Sequence, residues 1–127
     1  MRPTKRELRI IELMRDYRAI RNRSFGKSIP PVENVAFILL SKSEMLRLTG
    51  EEGNHGCSLS VVIKGVQLPF IVGLAEDDGE IVQRTTLVHE MAHFKVNLKF
   101  GRDMQHGKNF NAEMRRLVRI GELDGWL

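Results

Sequence analysis

Two histidines and a glutamate at close spacing, in the run His89-Glu90-Met91-Ala92-His93, could hold and use a metal ion. On an α-helix four residues turn about 400°, so the two imidazoles stand about 40° apart on one face and can reach one ion. Glu90 lies about 60° around the axis from His93, which places its carboxylate beside a metal-bound water rather than among the ligands. The pattern predicts one zinc ion on His89 and His93, with Glu90 as general base. Two histidines packed for structural reasons are the alternative, and it leaves a buried Glu90 in need of a separate partner.

A catalytic zinc ion usually has three protein ligands and one open position, so a third ligand must come from elsewhere in the chain. His106 is the leading candidate, because it lies in a loop with Gly101 and Gly107 that can fold back over the helix. Four other side chains are alternatives: Asp103, Glu113, His55 and Cys57.

Three helices are predicted to position these residues. The stretch 81–100 is apolar around most of its circumference, so we expect a buried central helix that carries the histidine pair and ends at Gly101. A capping box at Thr4 begins a basic N-terminal helix within residues 1–28, which we expect to run from about Lys5 to Arg23. A C-terminal helix is predicted over 109–121, with one apolar stripe: Phe110, Met114, Leu117 and Val118.

Three strands are predicted between the first and the central helix. The segments 35–41, 58–64 and 68–75 are short, rich in β-branched and aromatic residues, and bounded by turn residues. Because no long crossover separates them, we expect a small, mostly antiparallel three-stranded sheet over 35–75. The predicted fold class is therefore α+β, in a single domain over residues 1–127.

The composition of the chain indicates the cellular compartment in which the protein works. Cys57 is the only cysteine in 127 residues, which excludes an intramolecular disulfide and favours an intracellular, reducing compartment, cytoplasmic or nucleoid-associated, or the host cytoplasm for a viral protein. The longest apolar run, 35–40, is far too short to cross a membrane, so no membrane partner is expected.

Basic residues concentrate at the two ends of the chain. Residues 1–28 hold nine Lys or Arg against three acids, whereas residues 28–94 hold four against nine. Such a distribution is compatible with DNA contact through the N-terminal and C-terminal helices, and a solvated helix face is the alternative. The cations of these two helices and their flanks are Arg2, Lys5, Arg6, Arg9, Arg15, Arg18, Arg21, Arg23, Lys27, Arg115, Arg116 and Arg119.

A second motif follows the first. The H-E-M-A-H run at 89–93 is followed thirteen residues later by an H-G-K-N-F run at 106–110, and then by Met114. This order resembles the SprT-like metalloprotease domain, in which an HExxH helix is followed by an H-G-x-x-F-x-x-x-M segment. The resemblance implies a minimal zincin-like fold, with a helix and a small sheet before the active-site helix and one helix after the third ligand.

Carried over by position, the resemblance makes His89, His93 and His106 the ligands of one zinc ion and Glu90 the catalytic base of a zinc-dependent endopeptidase. Its substrate would be a protein or peptide, with strand 68–75 or its neighbour pairing with the extended chain. The family's link to proteins bound or crosslinked to DNA implies DNA-associated substrates. The cysteine-rich zinc ribbon of many members is missing, so the chain looks like a stand-alone catalytic core.

Two other classes of protein remain open. Peptide deformylase, a different HExxH hydrolase, also pairs an upstream cysteine with such a helix, but the glycine-rich segment and glutamine expected before Cys57 are missing. The other is a non-catalytic nucleic-acid- or protein-binding module that zinc only stabilises. Glu90 separates this module from an enzyme, because a structural zinc site does not need it.

Overall fold

A computed structural model of the protein describes residues 2–51, 53–59, 62–63, 66–67, 70–101 and 107–123. Within these ranges the helices are α1 (Lys5–Ile20), α2 (Lys42–Thr49), α3 (Glu80–Phe100) and α4 (Lys108–Arg119). The strands are β1 (Val35–Leu40), β2 (Gly56–Leu59), β3 (Val62–Ile63), β4 (Val66–Gln67) and β5 (Phe70–Ala75).

Helix α1 begins at the predicted capping box. The Thr4 hydroxyl accepts a hydrogen bond from the Glu7 amide, and the Glu7 carboxylate accepts one from the Thr4 amide. After Ile20 the chain continues as one π-helical turn, Arg21–Phe25, close to the predicted end of the first helix. The inner face of α1 buries Tyr17, whose hydroxyl donates a 2.6 Å hydrogen bond to a backbone carbonyl.

Strand β5 is the centre of a three-stranded sheet of order β1-β5-β2. It pairs in parallel with β1, with Val35 opposite Phe70, and antiparallel with β2, with Gly56 opposite Leu74. Strands β3 and β4 form a separate antiparallel hairpin. The α+β class and the three-stranded sheet are thus confirmed.

The prediction of a mostly antiparallel sheet is wrong for one of its two pairings, because the sheet is mixed. The chain between β1 and β5 contains α2, β2 and the hairpin, which is enough to return β5 in the same direction as β1. The predicted strand 58–64 is also divided, since its start belongs to β2 and Val62–Ile63 to the hairpin.

Helix α3 crosses the sheet and is the centre of the core. It buries Leu87, Val88 and Met91 completely, as expected for a helix that is apolar on most sides. Helix α4 packs against α3 through its stripe of Phe110, Met114 and Leu117. Among the described residues, no helix has both the length and the apolarity needed to cross a membrane.

Candidate metal centre

His89 and His93 project from one face of α3 with their ring nitrogens facing each other. The two Nε2 atoms lie 3.3 Å apart, and the ring centroids are 4.9 Å apart with the planes inclined by 71°. Both side chains are half-buried. The helical spacing predicted from the sequence therefore brings two nitrogen donors to one point.

The separation of these nitrogens fits a zinc ion. Zinc–imidazole bonds are about 2.0–2.1 Å long, and ligands of a tetrahedral ion subtend about 109°, so two such nitrogens should lie about 3.3–3.4 Å apart. The observed separation is 3.3 Å. Two of the four corners of a tetrahedral site can be supplied by this pair without any movement of the helix.

Phe110 from α4 holds the two rings in place. Its ring stacks on His93, with centroids 4.2 Å apart and planes within 18°, and meets His89 at 5.0 Å with planes inclined by 64°. The Phe110 side chain is 1% exposed. An aromatic ring fixed in the core therefore contacts both imidazoles and limits their rotation about χ2.

Glu90 is buried beside the pair, with 5% of its surface exposed. Burial raises its pKa to about 7, against the opposing effect of a hydrogen bond from Ser58. Ser58 lies on β2, and no motif in the sequence pointed to it. A carboxylate whose pKa is close to neutrality can both accept and return a proton, which is what general acid–base catalysis requires.

Strand β2 lies directly against α3 at this point. A methyl group at Gly56 would sit 2.4 Å from Thr86 Cγ2 and 3.4 Å from Glu90 Oε2, so only glycine allows this approach. On its other side β2 pairs with β5. Among the strands that the model describes, β2 is therefore the sheet edge nearest to Glu90.

The alternative ligand Glu113 is occupied by cations. Arg116 donates to both of its carboxylate oxygens, at 2.9 and 2.7 Å, and Lys95 Nζ lies 2.9 Å from one of them. Burial raises the pKa of Glu113, but the hydrogen bonds from Arg116 and Lys95 outweigh it and leave the pKa below its ordinary value. The carboxylate connects α4 to α3 rather than facing a metal.

The two alternative ligands that precede α3, Cys57 and His55, contact other groups. Cys57 packs over Gly73 in the middle of the sheet, and burial raises the pKa of its thiol. The His55 ring lies 2.8 Å from the carboxylate of Asp78. In the part of the chain that the structure describes, three or more His, Cys, Asp or Glu side chains nowhere form a group that could hold a metal ion. The predicted ligand His106 and its alternative Asp103 lie outside the described residues.

Several of the basic residues form ion pairs with carboxylates of the protein itself. Arg23 and Arg84 bind Glu122, at 2.6 Å each, and Arg116 binds Glu113. Arg6 and Arg9 form ion pairs with Glu76 and Glu12. Other cations of the two helices and the N-terminal flank are exposed: Arg2, Lys5, Arg15, Arg18, Arg115 and Arg119.

The α+β fold, in which the central helix carries HExxH with the two histidine nitrogens 3.3 Å apart and Glu90 buried beside them, has the arrangement that is typical of metallopeptidases. Residues 63–123, about half of the chain, match the SprT-like family. The chain belongs to the SprT-like family, and the matched region contains the histidine pair and α4. Comparison with curated proteins and with solved structures gave no significant match.

Proposed function

We propose that the protein is a zinc-dependent endopeptidase in which Glu90 is the general base. The observation that carries this proposal is the convergence of His89 Nε2 and His93 Nε2 to 3.3 Å beside a glutamate that is 5% exposed. A zinc ion bound there would act as a Lewis acid that polarises a peptide carbonyl and makes water more acidic. SprT-like proteins are generally zinc-dependent metalloprotease-like domains, which agrees with this chemistry.

His106 is the proposed third ligand. It directly precedes Gly107, the N-cap residue of α4, and Phe110 four positions later stacks on His93. The start of α4 is therefore held next to the histidine pair, which supports a residue directly before Gly107 as the third ligand.

Glu90 moves the protons in this proposal. Its carboxylate accepts a proton from the attacking water and donates it to the amine that leaves when the peptide bond breaks. The Ser58 hydroxyl holds the carboxylate on the β2 side of α3 through its hydrogen bond. Because Glu90 is buried, bulk water does not compete with the attacking water for its carboxylate. Burial also means that the charge of the Glu90 carboxylate is not screened by solvent.

Strand β2 is the proposed platform for the substrate. It is the sheet edge next to Glu90, and an extended peptide can add to such an edge through main-chain hydrogen bonds. The sequence left open whether strand 68–75 or its neighbour would pair with the substrate. Because β5 is already paired on both sides, with β1 and β2, the proposal takes the neighbour β2.

Zinc content and cleavage of an unfolded protein such as casein, measured on the same preparations, test the proposal. Glu90→Gln should keep its zinc and lose cleavage by about a hundredfold or more. His106→Ala should lose zinc, whereas Cys57→Ser should keep it, because the cysteine is not a ligand here. Loss of zinc from Cys57→Ser would favour the deformylase-like site instead.

The outcomes also separate an enzyme from a binding module. Wild-type protein that binds zinc but cleaves nothing, with or without single-stranded DNA, would support the non-catalytic module. Cleavage by Glu90→Gln at the wild-type rate would show that another group is the base.

We further propose that the substrates are proteins associated with DNA. The exposed cations of α1 and its flank, Arg2, Lys5, Arg15 and Arg18, support contact with a polyanion. Binding of labelled single-stranded DNA at increasing salt should weaken linearly on a log–log plot. Replacing Arg15 and Arg18 by Gln should reduce the slope, and an unchanged affinity would exclude α1 as the contact.

A further inference from the structure

A cavity of about 400 Å³ lies where the parallel strands β1 and β5 end. It is lined by the connection from β1 to α2 and by the connection from β5 to α3. Ligands often bind outside the carboxyl ends of parallel strands, where such connections meet. The volume of the cavity is also within the range of about 300–1,000 Å³ that is typical of small-molecule sites.

The cavity is on the face of the sheet that points away from the histidine pair. Leu39 and Leu74 are partners in the β1–β5 register, and both belong to the core that includes α3. Successive side chains of a strand point to opposite faces, so Leu40 and Ala75, the next partners in the register, point to the other face. Both of them line the cavity. It is therefore separate from the candidate metal centre.

The floor of the cavity is apolar and well fixed. Leu40 and Met45 are 8% and 2% exposed, and Leu46 adds a half-exposed aliphatic side chain from α2. The Ala75 amide donates a 2.9 Å hydrogen bond to the His55 carbonyl, which holds the loop before β2 against the end of β5. A ligand bound here therefore meets a hydrocarbon surface that exists before it binds, and burial of its own apolar part is favourable.

The rim of the cavity carries an excess of negative charge. Three carboxylates line it, from Glu51, Asp77 and Asp78, against one ammonium group, from Lys42. The Asp78 carboxylate lies 2.8 Å from the His55 ring. Glu51 and Asp77 are exposed, and neither forms an ion pair with another described residue. The two exposed carboxylates are therefore available to a cation.

We propose that this cavity binds a free primary alkylamine in its protonated form. The alkyl chain lies on the floor formed by Leu40, Met45 and Leu46, and the ammonium group lies near the carboxylates of Glu51 and Asp77. A hydrocarbon chain that ends in a cation matches an apolar floor with an acidic rim. This ligand site is additional to the one on α3, and it does not depend on the proposed peptidase activity.

The order of floor and rim favours a free amine over a lysine side chain of another protein. A free amine can enter with its methyl end first and leave its ammonium group at the exposed rim. A lysine side chain would have to enter with its ammonium group first, which would place the charge on the buried floor of Leu40 and Met45. Transfer of a charge to an apolar surface is costly.

Three probes of nearly equal length test the charge of the ligand: hexylamine, which is a cation at neutral pH, the neutral 1-hexanol, and the anion hexanoate. Each is titrated at low salt into the isotope-labelled full chain, and amide resonances are followed by NMR. Hexylamine should shift the amides of Met45 and Ala75, with a Kd lower than that of hexanol by about threefold or more, as expected for exposed ion pairs. Hexanoate should bind most weakly. Equal Kd values for hexylamine and hexanol would overturn the proposal.

Two substitutions remove charge from the rim at nearly constant shape. Asp77→Asn and Glu51→Gln should each weaken hexylamine by about two- to fivefold and leave hexanol unchanged. Glu33→Gln is the control, because Glu33 is exposed just before β1, at the opposite end of that strand from the cavity. Hexylamine binding that is unchanged in both rim variants, or weakened equally by Glu33→Gln, would overturn the proposal.

Two further measurements test the floor and the source of the amine. Leu46→Ala should weaken hexylamine and hexanol alike, because it removes apolar surface that both chains contact. The lysine derivative Nα-acetyl-lysine methylamide, which carries the side chain on a blocked backbone, should bind more weakly than hexylamine. Binding as tight as that of hexylamine would overturn the assignment to a free amine and indicate a lysine of another protein instead.

Discussion

Glu122 joins three helical segments through one buried carboxylate. It is 4% exposed, lies just after α4, and accepts hydrogen bonds from Arg23 at 2.9 and 2.6 Å and from Arg84 at 2.6 Å. The Ser24 hydroxyl also donates to it. These contacts connect α4 to the π-helical turn after α1 and to α3. Replacing Glu122 by Gln should therefore destabilise the packing of α4, the helix that holds Phe110 on the histidine pair.

The magnitude follows from the pKa of this carboxyl. The hydrogen bond from Arg23 lowers the pKa from 4.5 to about 2, with Ser24 and Arg84 adding to the effect and burial opposing it. A difference of this size corresponds to about 3 kcal/mol between the charged and neutral forms. Because the side chains of Arg23 and Arg84 are 57% and 38% exposed, solvent screening reduces that figure. We expect Glu122→Gln to lower the free energy of unfolding by about 1–3 kcal/mol at pH 7.

The pH dependence has a definite sign. Since the pKa of Glu122 is lower in the folded than in the unfolded protein, its contribution is fully present above about pH 4.5 and is lost as the pH falls towards 2. Urea unfolding followed by circular dichroism should show a large difference between wild type and Glu122→Gln at pH 7 and a smaller one at pH 3. The exposed Glu33→Gln is the control. A difference below about 0.5 kcal/mol at pH 7, or one that does not shrink at pH 3, would refute the reasoning.

Three further predictions concern the candidate centre. Phe110→Ala should lower the free energy of unfolding, measured in urea, by about 3–5 kcal/mol, because it removes a buried ring. It should also weaken zinc binding in calorimetric titration, because that ring contacts both imidazoles. Zinc affinity equal to wild type would show that the ring is not needed to position them. Gly56→Ala should lower the free energy of unfolding by about 1–3 kcal/mol, because its methyl group would lie 2.4 Å from Thr86 Cγ2. Thr86→Ser, which removes that methyl carbon, should recover part of the loss in a double-mutant cycle. Additive losses would show that the two groups do not clash. Ser58→Ala should reduce casein cleavage while zinc content stays the same, because it removes a hydrogen bond to Glu90; loss of zinc would instead indicate a general structural defect.

The features that the sequence predicted well are those set within one helix. The positions of His89 and His93 on a common face depend only on helical geometry, so their spacing was enough to predict that both imidazoles could reach one point, where their nitrogens lie 3.3 Å apart. The start of α1 likewise followed from a local capping box. The resemblance that named the family depends on two short motifs and is confirmed by the family match over 63–123.

The features that could not be predicted from the sequence depend on contacts between distant parts of the chain. The parallel pairing of β1 with β5 has no local signal, because each strand alone is compatible with either direction. Ser58 became relevant only when the sheet order brought β2 against α3. Helix α2 was missed although its signals are local. The Ser41 and Glu44 pair has the form of a capping box, and Gly50 is a typical helix-ending residue; in the structure the capping box forms and Gly50 ends the helix at a φ of 75°.

The ion pairs change what the basic composition means for function. Counting charges along the chain treats every cation as available to a partner, but Arg23, Arg84 and Arg116 are held by the buried carboxylates of Glu122 and Glu113. Since removing such a partner costs more than a surface ion pair is worth, these arginines cannot turn outwards to a phosphate without destabilising the packing of α4. The exposed cations of α1, such as Arg15 and Arg18, are therefore the ones on which the DNA proposal depends.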